Sequence, residues 1–445
     1  FSTRGRFGGT QLNICALISN VTATNWLTNT GVLAFLMPDS IMSQNSYEEF
    51  RYFYLDYEAK ERLFLQKIDK WEKPLKPFTC EDIVVSQDFN TYYYSRKEVD
   101  YKKGIDVTTI SRTKGIPDIV LNKETSFAKV KKHLIFGKKI AAQMSDATSA
   151  FSYLSDVHDF RKIIGDSAYE YRTGVEFTPQ ELYMLIGMGK SSTSSHYRFM
   201  NKKFTRSKYI VDDMPKNGWE LPTDHIYPIV TGPSLTPFRC NLENEYCILP
   251  YSENKTNAPI GISELMTSNP ELFEYLLNHQ NLIDNQSDKS KVMRRGEEFY
   301  ALSKIGPYTF SKYLVAARDN TKFCATVIEP QNTPWGETKQ SICVKHTMII
   351  GRTVAGRFIE KDEAYYIAGI LNSNIVIQYM QSTFKSNGYS LKKSHFYLPE
   401  FDQTNPLHKE ICKLAKKASK LTDQAIIDII QSILSDVYLN LCSSR

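Results

Sequence analysis

The hydrophobic pattern near the start of the chain predicts one buried strand with a sharp end. Apolar residues run without interruption from Val32 to Met37, and Pro38 follows. An unbroken apolar run of this length is typical of a strand that a parallel sheet covers on both faces. Because proline lacks the N–H that a β-ladder needs, we expect the strand to stop there. Apolar residues at helical spacing between Gln11 and Leu27 predict a helix packed on the same sheet.

The pattern changes beyond residue 165. Short strand-like runs recur there, separated by Gly, Pro, Asn and Asp, and helical spacing returns near the carboxyl end. The predicted fold class is α/β in the first part and mixed α+β in the last. We predict three parts: an α/β part over 1–125, a helical connector over 126–165, and a mixed domain over 166–445 that ends in helices over 405–442.

Composition narrows the class of protein without fixing it. The chain of 445 residues has a formal net charge of +6 and is 23% charged, and this small basic excess is weak evidence for a nucleic-acid partner. The cysteines are scattered and form no C-x-x-C pair, which favours buried free thiols over a zinc site or a disulfide framework. No apolar run approaches the roughly 20 residues of a membrane helix. We therefore expect a cytoplasmic protein with no metal and no membrane contact.

The segment from Leu182 to Val211 has the composition of a nucleic-acid surface. It contains no Asp or Glu, it interleaves aromatic residues with its cations, and it includes an unbroken run of serine and threonine. Lysine and arginine neutralise phosphates and release counterions, and hydroxyl groups position the DNA backbone. The candidate DNA-binding residues here are Lys190, Arg198, Lys202, Lys203, Arg206 and Lys208. The alternative is a solvated loop whose lysines serve solubility.

Two smaller basic clusters extend the candidate surface. One surrounds an Asn-Gly turn signal and contains Lys385, Lys392 and Lys393. The other is the pair Arg294 and Arg295. An ordinary surface turn is the alternative for the first cluster, and an ion pair within the domain is the alternative for the second. The lysines of the predicted C-terminal helix, at 409, 413, 416, 417 and 420, are interpreted as a solvated face opposite an apolar stripe.

Several segments, in order along the chain, resemble adenine-specific DNA methyltransferases. Gly31–Ser40 and the Phe50-Arg51 pair after it resemble a late strand and helix of the catalytic sheet of these enzymes. Further segments resemble the target-recognition domains of restriction–modification methyltransferases. These are Tyr227–Gly232, Tyr246–Tyr251, Arg294–Leu302, Ala368–Ser373, Leu398–Asp402 and Asn405–His408.

The resemblance implies the C-terminal portion of an N6-adenine methyltransferase from a type II or IIG-like restriction–modification system. It implies a Rossmann-like catalytic sheet followed by a target-recognition domain, S-adenosylmethionine as cofactor, and double-stranded DNA as partner. The intact enzyme would flip adenine out of the duplex and methylate its N6 atom. Pro38, Asp39 and Ser40 would only shape the pocket, at the carboxyl end of their strand.

Two signatures of such enzymes are missing from this chain. It has neither the Gly-rich turn that holds S-adenosylmethionine nor the Asn-Pro-Pro-aromatic tetrad that holds the adenine. The nearest match, Asn332-Thr333-Pro334-Trp335, is interpreted as a plain turn. No catalytic or cofactor-binding residue is therefore assigned, and we expect the chain alone to be inactive and its N-terminal catalytic half to have been removed or to lie in another chain. The alternatives are a non-catalytic DNA-specificity module that recruits a separate methyltransferase or nuclease subunit, and an α/β protein unrelated to DNA.

Overall fold

A computed structural model of the chain divides into two compact units. Unit 1 comprises residues 1–162 with 379–385, and unit 2 comprises residues 163–378 with 386–445. The structure describes residues 14–42, 47–56, 58–72, 89–113, 126–145, 148–191, 193, 195–205, 211–285, 293–318, 322–383, 391 and 395–445.

Unit 1 is built on one mixed sheet of six strands. The order of its strands is β1-β5-β4-β6-β7-β8, and neighbours are antiparallel except β4 and β6, which are parallel. The elements are α1 (Ile14–Trp26), β1 (Leu33–Pro38), α2 (Glu48–Tyr52), β2 (Tyr54–Asp56), β3 (Glu61–Arg62), β4 (Phe64–Trp71), β5 (Phe89–Ser95), β6 (Ile105–Arg112), α3 (Phe127–Lys131), β7 (Leu134–Ser145), β8 (Thr148–Tyr153) and α4 (Leu154–Ile163).

The β1 strand confirms the predicted position and end but not the predicted surroundings. It stops at Pro38 and pairs antiparallel with β5. Leu33 and Met37 are buried, whereas Leu36 is 60% exposed. The expectation that both faces of this strand are covered is therefore wrong. The Rossmann-like arrangement is not confirmed. A short apolar run is compatible with both arrangements, because the run itself carries no periodicity that separates them.

The predicted helical connector is also wrong over most of its length. Residues 134–145 and 148–153 are β7 and β8, which extend the sheet of unit 1. Only α3 and α4 are helical there. β-Branched and aromatic residues such as Ile135, Phe136 and Ile140 suit a pleated surface, and pairing with β6 overrides the helical spacing of the neighbouring apolar residues.

The remaining chain contains two larger sheets and several helices, as the mixed α+β prediction requires. One sheet has the order β12-β11-β10-β16-β13-β21 and the other has the order β18-β17-β22-β9. The strands are β9 (Arg172–Thr173), β10 (Met184–Lys190), β11 (His196–Asn201), β12 (Trp219–Pro222), β13 (Ile226–Val230), β14 (Leu235–Thr236), β15 (Arg239–Cys240), β16 (Glu245–Ile248), β17 (Leu314–Arg318), β18 (Ala325–Ile328), β19 (Gln331–Asn332), β20 (Thr338–Lys339), β21 (Ile342–Cys343) and β22 (Thr347–Ile350). The helices are α5 (Gln180–Tyr183), α6 (Ile262–Ser268), α7 (Pro270–Asn278), α8 (Gln280–Asp284), α9 (Lys361–Leu371), α10 (Asn374–Thr383), α11 (Pro406–Ala418) and α12 (Gln424–Ser443).

The two C-terminal helices confirm the amphipathic pattern read from the sequence. In α11 the residues Ile411 and Ala415 are buried, whereas Lys409, Lys413 and Lys417 are exposed. Helix α12 is long and apolar enough to cross a membrane by length and composition. Half of that stretch is nevertheless buried within the protein, which is the behaviour of a core helix in a globular domain.

Candidate nucleic-acid interface

The candidate residues of the 182–211 segment lie at two ends of one hairpin. β10 and β11 are antiparallel, with Lys190 opposite Tyr197 at the turn and Leu185 opposite Asn201 at the other end. Lys190 and Arg198 are therefore near the turn, and Lys203 follows the far end of β11. At 3.4 Å per strand residue the two ends lie about 17 Å apart, or about five base-pair steps of duplex rise.

Arg198 holds the turn end of this hairpin. Its Nε and Nη2 atoms donate hydrogen bonds to the carbonyl oxygen of Lys190 over 3.1 and 2.8 Å. It lies directly opposite Glu220 on β12. The side chain of Lys190 is exposed and has no ion pair with a described residue. The guanidinium of Arg198 thus shapes the turn, and Lys190 supplies its outward charge.

The other end of the hairpin combines a paired and an exposed lysine. Lys202 forms an ion pair with Glu245 of the neighbouring strand β16. Lys203 is exposed, and within the described ranges no carboxylate pairs with it. Because a paired ammonium is already partly neutralised, Lys203 is better placed than Lys202 to bind a phosphate. Arg206 and Lys208 lie outside the described residues.

An aromatic cluster supports one face of the hairpin. The ring of Trp335 lies 5.2 Å from Tyr197, 5.9 Å from Phe199 and 5.1 Å from Tyr246, measured between centroids. Trp335 sits in the turn between β19 and β20, so the interpretation of Asn332–Trp335 as a plain turn is confirmed. Its ring packs on the sheet and stabilises the hairpin that carries Lys190 and Lys203.

Arg294 and Arg295 differ in their surroundings: Arg294 is bonded within the protein, and Arg295 is exposed. Arg294 donates from Nη1 to the carbonyl of Phe299 over 3.3 Å and from Nη2 to the carbonyl of Ile283 over 3.0 Å. It also lines a cleft of about 230 Å³ with Glu176 and Lys345. The side chain of Arg295 is exposed. Arg294 therefore has a structural role in joining two segments, whereas a DNA contact by Arg295 stays a prediction.

Two of the resemblance segments are joined by hydrogen bonds. The hydroxyl of Tyr251 donates to the carbonyl of Arg295 over 2.9 Å and accepts from the backbone N–H of Leu302 over 2.7 Å. Tyr300 donates to the carbonyl of Ile260 over 2.6 Å. Tyr251, Tyr300 and Leu302 therefore form part of the core of unit 2 and fix the backbone on which Arg295 lies.

The C-terminal resemblance segments are likewise internal ties. Asn372 is fully buried; its Oδ1 accepts from the N–H of Ala325 over 2.9 Å, and its Nδ2 donates to the carbonyls of Ala325 and Ala368 over 2.7 and 3.0 Å. Asn405 caps α11 by accepting from the N–H of Leu407 over 2.9 Å. Asn372 thus ties the end of α9 to the sheet that contains β18, and Asn405 satisfies the first N–H groups of α11.

The three residues predicted to shape a pocket lie where the strand ends. Pro38 closes β1, and Asp39 and Ser40 begin a 3₁₀ helix. The carbonyl of Pro38 accepts a hydrogen bond from Tyr92 over 3.1 Å. Arg51, only 1% exposed, donates to the carbonyl of Ile41 over 2.7 Å, so it fixes this turn from the core. Burial lowers the pKa of Arg51 to about 10, against the opposing effect of Glu48.

Some candidate residues fall outside the structure, and others were missed by sequence reasoning. Lys385, Lys392 and Lys393 lie outside the described residues. The missed residues are five exposed lysines of unit 1, at 129, 131, 132, 138 and 139. The rule that singled out residues 182–211 would have found them, because no Asp or Glu occurs between Thr125 and Ser145.

Comparison with known proteins adds little to this geometry. No protein-family model matches the chain, and neither does any curated protein. Among solved structures, the chain is similar to a nuclease-deletion mutant of the Type ISP restriction-modification enzyme LlaGI in complex with a DNA substrate mimic. The identity is 10% and the TM-score 0.36, covering 89% of this chain and 36% of that one.

A second similar structure is the DrdV–DNA complex, at 9% identity and a TM-score of 0.27, covering 89% of this chain and 38% of that one. The chain thus spans little more than a third of the length of either solved structure. TM-scores of 0.36 and 0.27 are too low to establish a shared fold, so the function has to be argued from the residues of this chain.

Proposed function

We propose that this chain is the DNA-specificity portion of an N6-adenine methyltransferase in a restriction–modification system, and that unit 2 binds duplex DNA. The observation that carries the DNA-binding proposal is the hairpin β10–β11. Lys190 and Lys203 are exposed to solvent on this hairpin, whose sheet is packed against the ring of Trp335. Neither lysine has an ion pair with a described residue. Polyanions are the partners that such exposed lysines favour, because each phosphate contact releases counterions.

Sequence resemblance supports the assignment to adenine methylation. The segments Gly31–Ser40 and Arg294–Leu302 retain the order that they have in those enzymes. S-adenosylmethionine would supply the methyl group in the intact enzyme. The sequence lacks the Gly-rich nucleotide-binding signature of these enzymes, so no residue of this chain is proposed to hold the cofactor. Pro38, Asp39 and Ser40 are proposed only to shape the pocket edge.

The DNA-binding proposal is tested by fluorescence anisotropy with a mixed-sequence duplex across a salt series. Each phosphate contact contributes about 0.9 to the slope of log affinity against log salt. We expect Lys190→Ala and Lys203→Ala each to weaken binding and to reduce the slope by about 1. Lys413→Ala is the matched control, because Lys413 is an exposed lysine on the solvated face of α11.

Two outcomes would contradict the proposal. If the wild-type chain does not bind at low salt, unit 2 is not a DNA-binding domain. If the slope falls equally in Lys203→Ala and Lys413→Ala, the hairpin is not the contact surface. Methyl transfer is tested separately with the full-length gene product, by measuring N6-methyladenine in duplex DNA after incubation with S-adenosylmethionine. If no N6-methyladenine forms, the proposed methyltransferase activity is rejected, and the salt series still decides whether unit 2 binds DNA.

A further inference from the structure

A second basic surface lies in unit 1, at the edge of the sheet where β1 ends. β4 is parallel to β6, and β1 runs in the same direction because both β1 and β4 are antiparallel to β5. The carboxyl ends of these strands therefore share one edge. β7 begins at that edge, since it is antiparallel to β6. The start of β7 and the helix α3 before it consequently lie on the same edge as Pro38.

The register places Phe136, near the start of β7, level with the end of β1, four strand positions away in the sheet. Pro38 is paired with Phe89, Trp71 with Ile110, and Ile110 with Phe136. Val130 of α3 is buried against Ile110, so the short helix is anchored on the sheet. Residues 126–140, which we name the edge segment, thus have a fixed backbone position within unit 1.

The charge of the edge segment has one sign only. Its five lysines, at 129, 131, 132, 138 and 139, are all exposed, and no described carboxylate forms an ion pair with any of them. The ammonium of Lys139 lies 4.2 Å from the centroid of the Tyr153 ring, and Lys70 donates to the hydroxyl of the same tyrosine over 3.2 Å. This pair of lysines lies on the face of the sheet opposite to Lys138, because successive residues of β7 alternate between the two faces.

Exposed apolar side chains accompany these lysines. Phe127 is 62% exposed, Ile135 53% and Phe136 46%. Successive side chains of a strand point to opposite faces, so Phe136 and Lys138 share one face of β7, and Ile135 and Lys139 lie on the other. Ile110, on which Val130 packs, is paired with Phe136, so α3 lies on the face of Phe136 and Lys138. Exposed apolar groups beside cations, such as Phe136 beside Lys138, indicate a contact site. Exposed lysines suit a nucleic acid, because each phosphate that binds an ammonium group releases counterions.

We propose that the edge segment is a second duplex-DNA contact, in which the exposed lysines at 129, 131, 132 and 138 bind backbone phosphates. The inference rests on the proposed DNA-binding function but concerns a different unit and different residues. An anionic membrane surface has related chemistry. DNA is favoured because the same chain is proposed to bind DNA through unit 2, and because phosphates spaced along a backbone can neutralise lysines that are spread from α3 to β7.

The test is the same salt titration with the full chain and a triple variant, Lys131→Ala, Lys132→Ala and Lys138→Ala. Loss of three phosphate contacts would reduce the slope of log affinity against log salt by about 2.7. The ratio of the affinity at 50 mM salt to that at 200 mM salt would then be about 40-fold smaller for the variant than for the wild type. The matched control is Lys97→Ala, Lys102→Ala and Lys103→Ala. These exposed lysines lie beyond the end of β5 and before β6, at the opposite edge of the same sheet.

We expect the edge triple to flatten the slope, the control triple to leave it nearly unchanged, and the corresponding Lys→Arg triple to retain it. Equal slopes for the edge and control triples would overturn the inference. Binding to vesicles that contain phosphatidylserine is measured as well. If these lysines are needed for binding to the vesicles but not for binding to DNA, the inference is also overturned. The variants Lys190→Ala and Lys203→Ala test the proposed surface of unit 2 separately. A negative result for one proposed surface can therefore be distinguished from a negative result for the other.

Discussion

Substitution of Asn372 by alanine is expected to destabilise unit 2 strongly without altering the proposed DNA-binding surface. The amide of Asn372 is fully buried and bridges the end of α9 to the outer edge of β18 through Ala325. Removing it leaves the N–H of Ala325 without its acceptor, at a cost of about 1–3 kcal/mol, and loss of the hydrogen bonds from Nδ2 adds about 1 kcal/mol. We therefore expect Asn372→Ala to lower the free energy of unfolding by about 2–4 kcal/mol.

The assay should report on unit 2 alone, because a chain with two units need not unfold in one step. Urea unfolding followed by pulsed hydrogen exchange and mass spectrometry gives the transition of peptides from β18 and α9 separately from those of unit 1. Asn278→Ala is the control, since Asn278 is exposed at the end of α7 and its loss should change stability by less than about 0.5 kcal/mol.

The outcome that would refute this reasoning is an unchanged unfolding midpoint for the β18 and α9 peptides in Asn372→Ala. An equal fall in Asn278→Ala would refute it as well. If the variant instead keeps its stability but loses DNA binding at a temperature where it is folded, Asn372 is a contact residue and the structural role assigned to its segment is wrong.

Three further predictions concern other buried groups. Tyr251→Phe should lower the free energy of unfolding of unit 2 by about 1–3 kcal/mol, measured by the same peptide-resolved urea titration, because the N–H of Leu302 loses its acceptor. Burial alone would raise the pKa of Glu176, but hydrogen bonds and charges from Lys345 and Lys304 hold it below its usual value. The stability from this carboxylate is therefore present above its unfolded pKa of about 4.3 and lost as the pH falls through its folded pKa. Glu176→Gln should destabilise unit 2 at pH 7, and the difference from the wild type should shrink as the pH falls below about 4.3. A difference that does not change with falling pH would contradict the assignment. Alkylation with peptide mapping should find six thiols protected in the folded chain and reactive in urea. Five of them are buried and Cys240 is half-buried, and burial raises the pKa of each thiol, that of Cys240 to about 11. Rapid modification of the five buried thiols before unfolding would contradict their burial. These thiols are Cys240, Cys247, Cys324, Cys343, Cys412 and Cys442.

The sequence by itself determined features that depend on neighbours along the chain. It placed a strand at residues 32–37 and ended it at Pro38, because the missing N–H of proline acts locally. It identified the C-terminal helices and their solvent-exposed side, because a period of 3.6 residues specifies which residues lie on the same side of a helix. It also located basic segments by composition, and the same rule applied further along would have found residues 126–140.

Only the tertiary structure decided which of those charges are available. Nothing within residues 182–211 indicates that Lys202 is paired with Glu245, because that carboxylate arrives on a different strand. The capture of Arg294 by backbone carbonyls likewise depends on chain folding around it. Strand partners also decided that residues 134–153 extend a sheet, since helix and strand compete locally and long-range pairing selects between them. An ion pair or a strand pair joins residues that are distant along the chain, and one sequence does not record those distances.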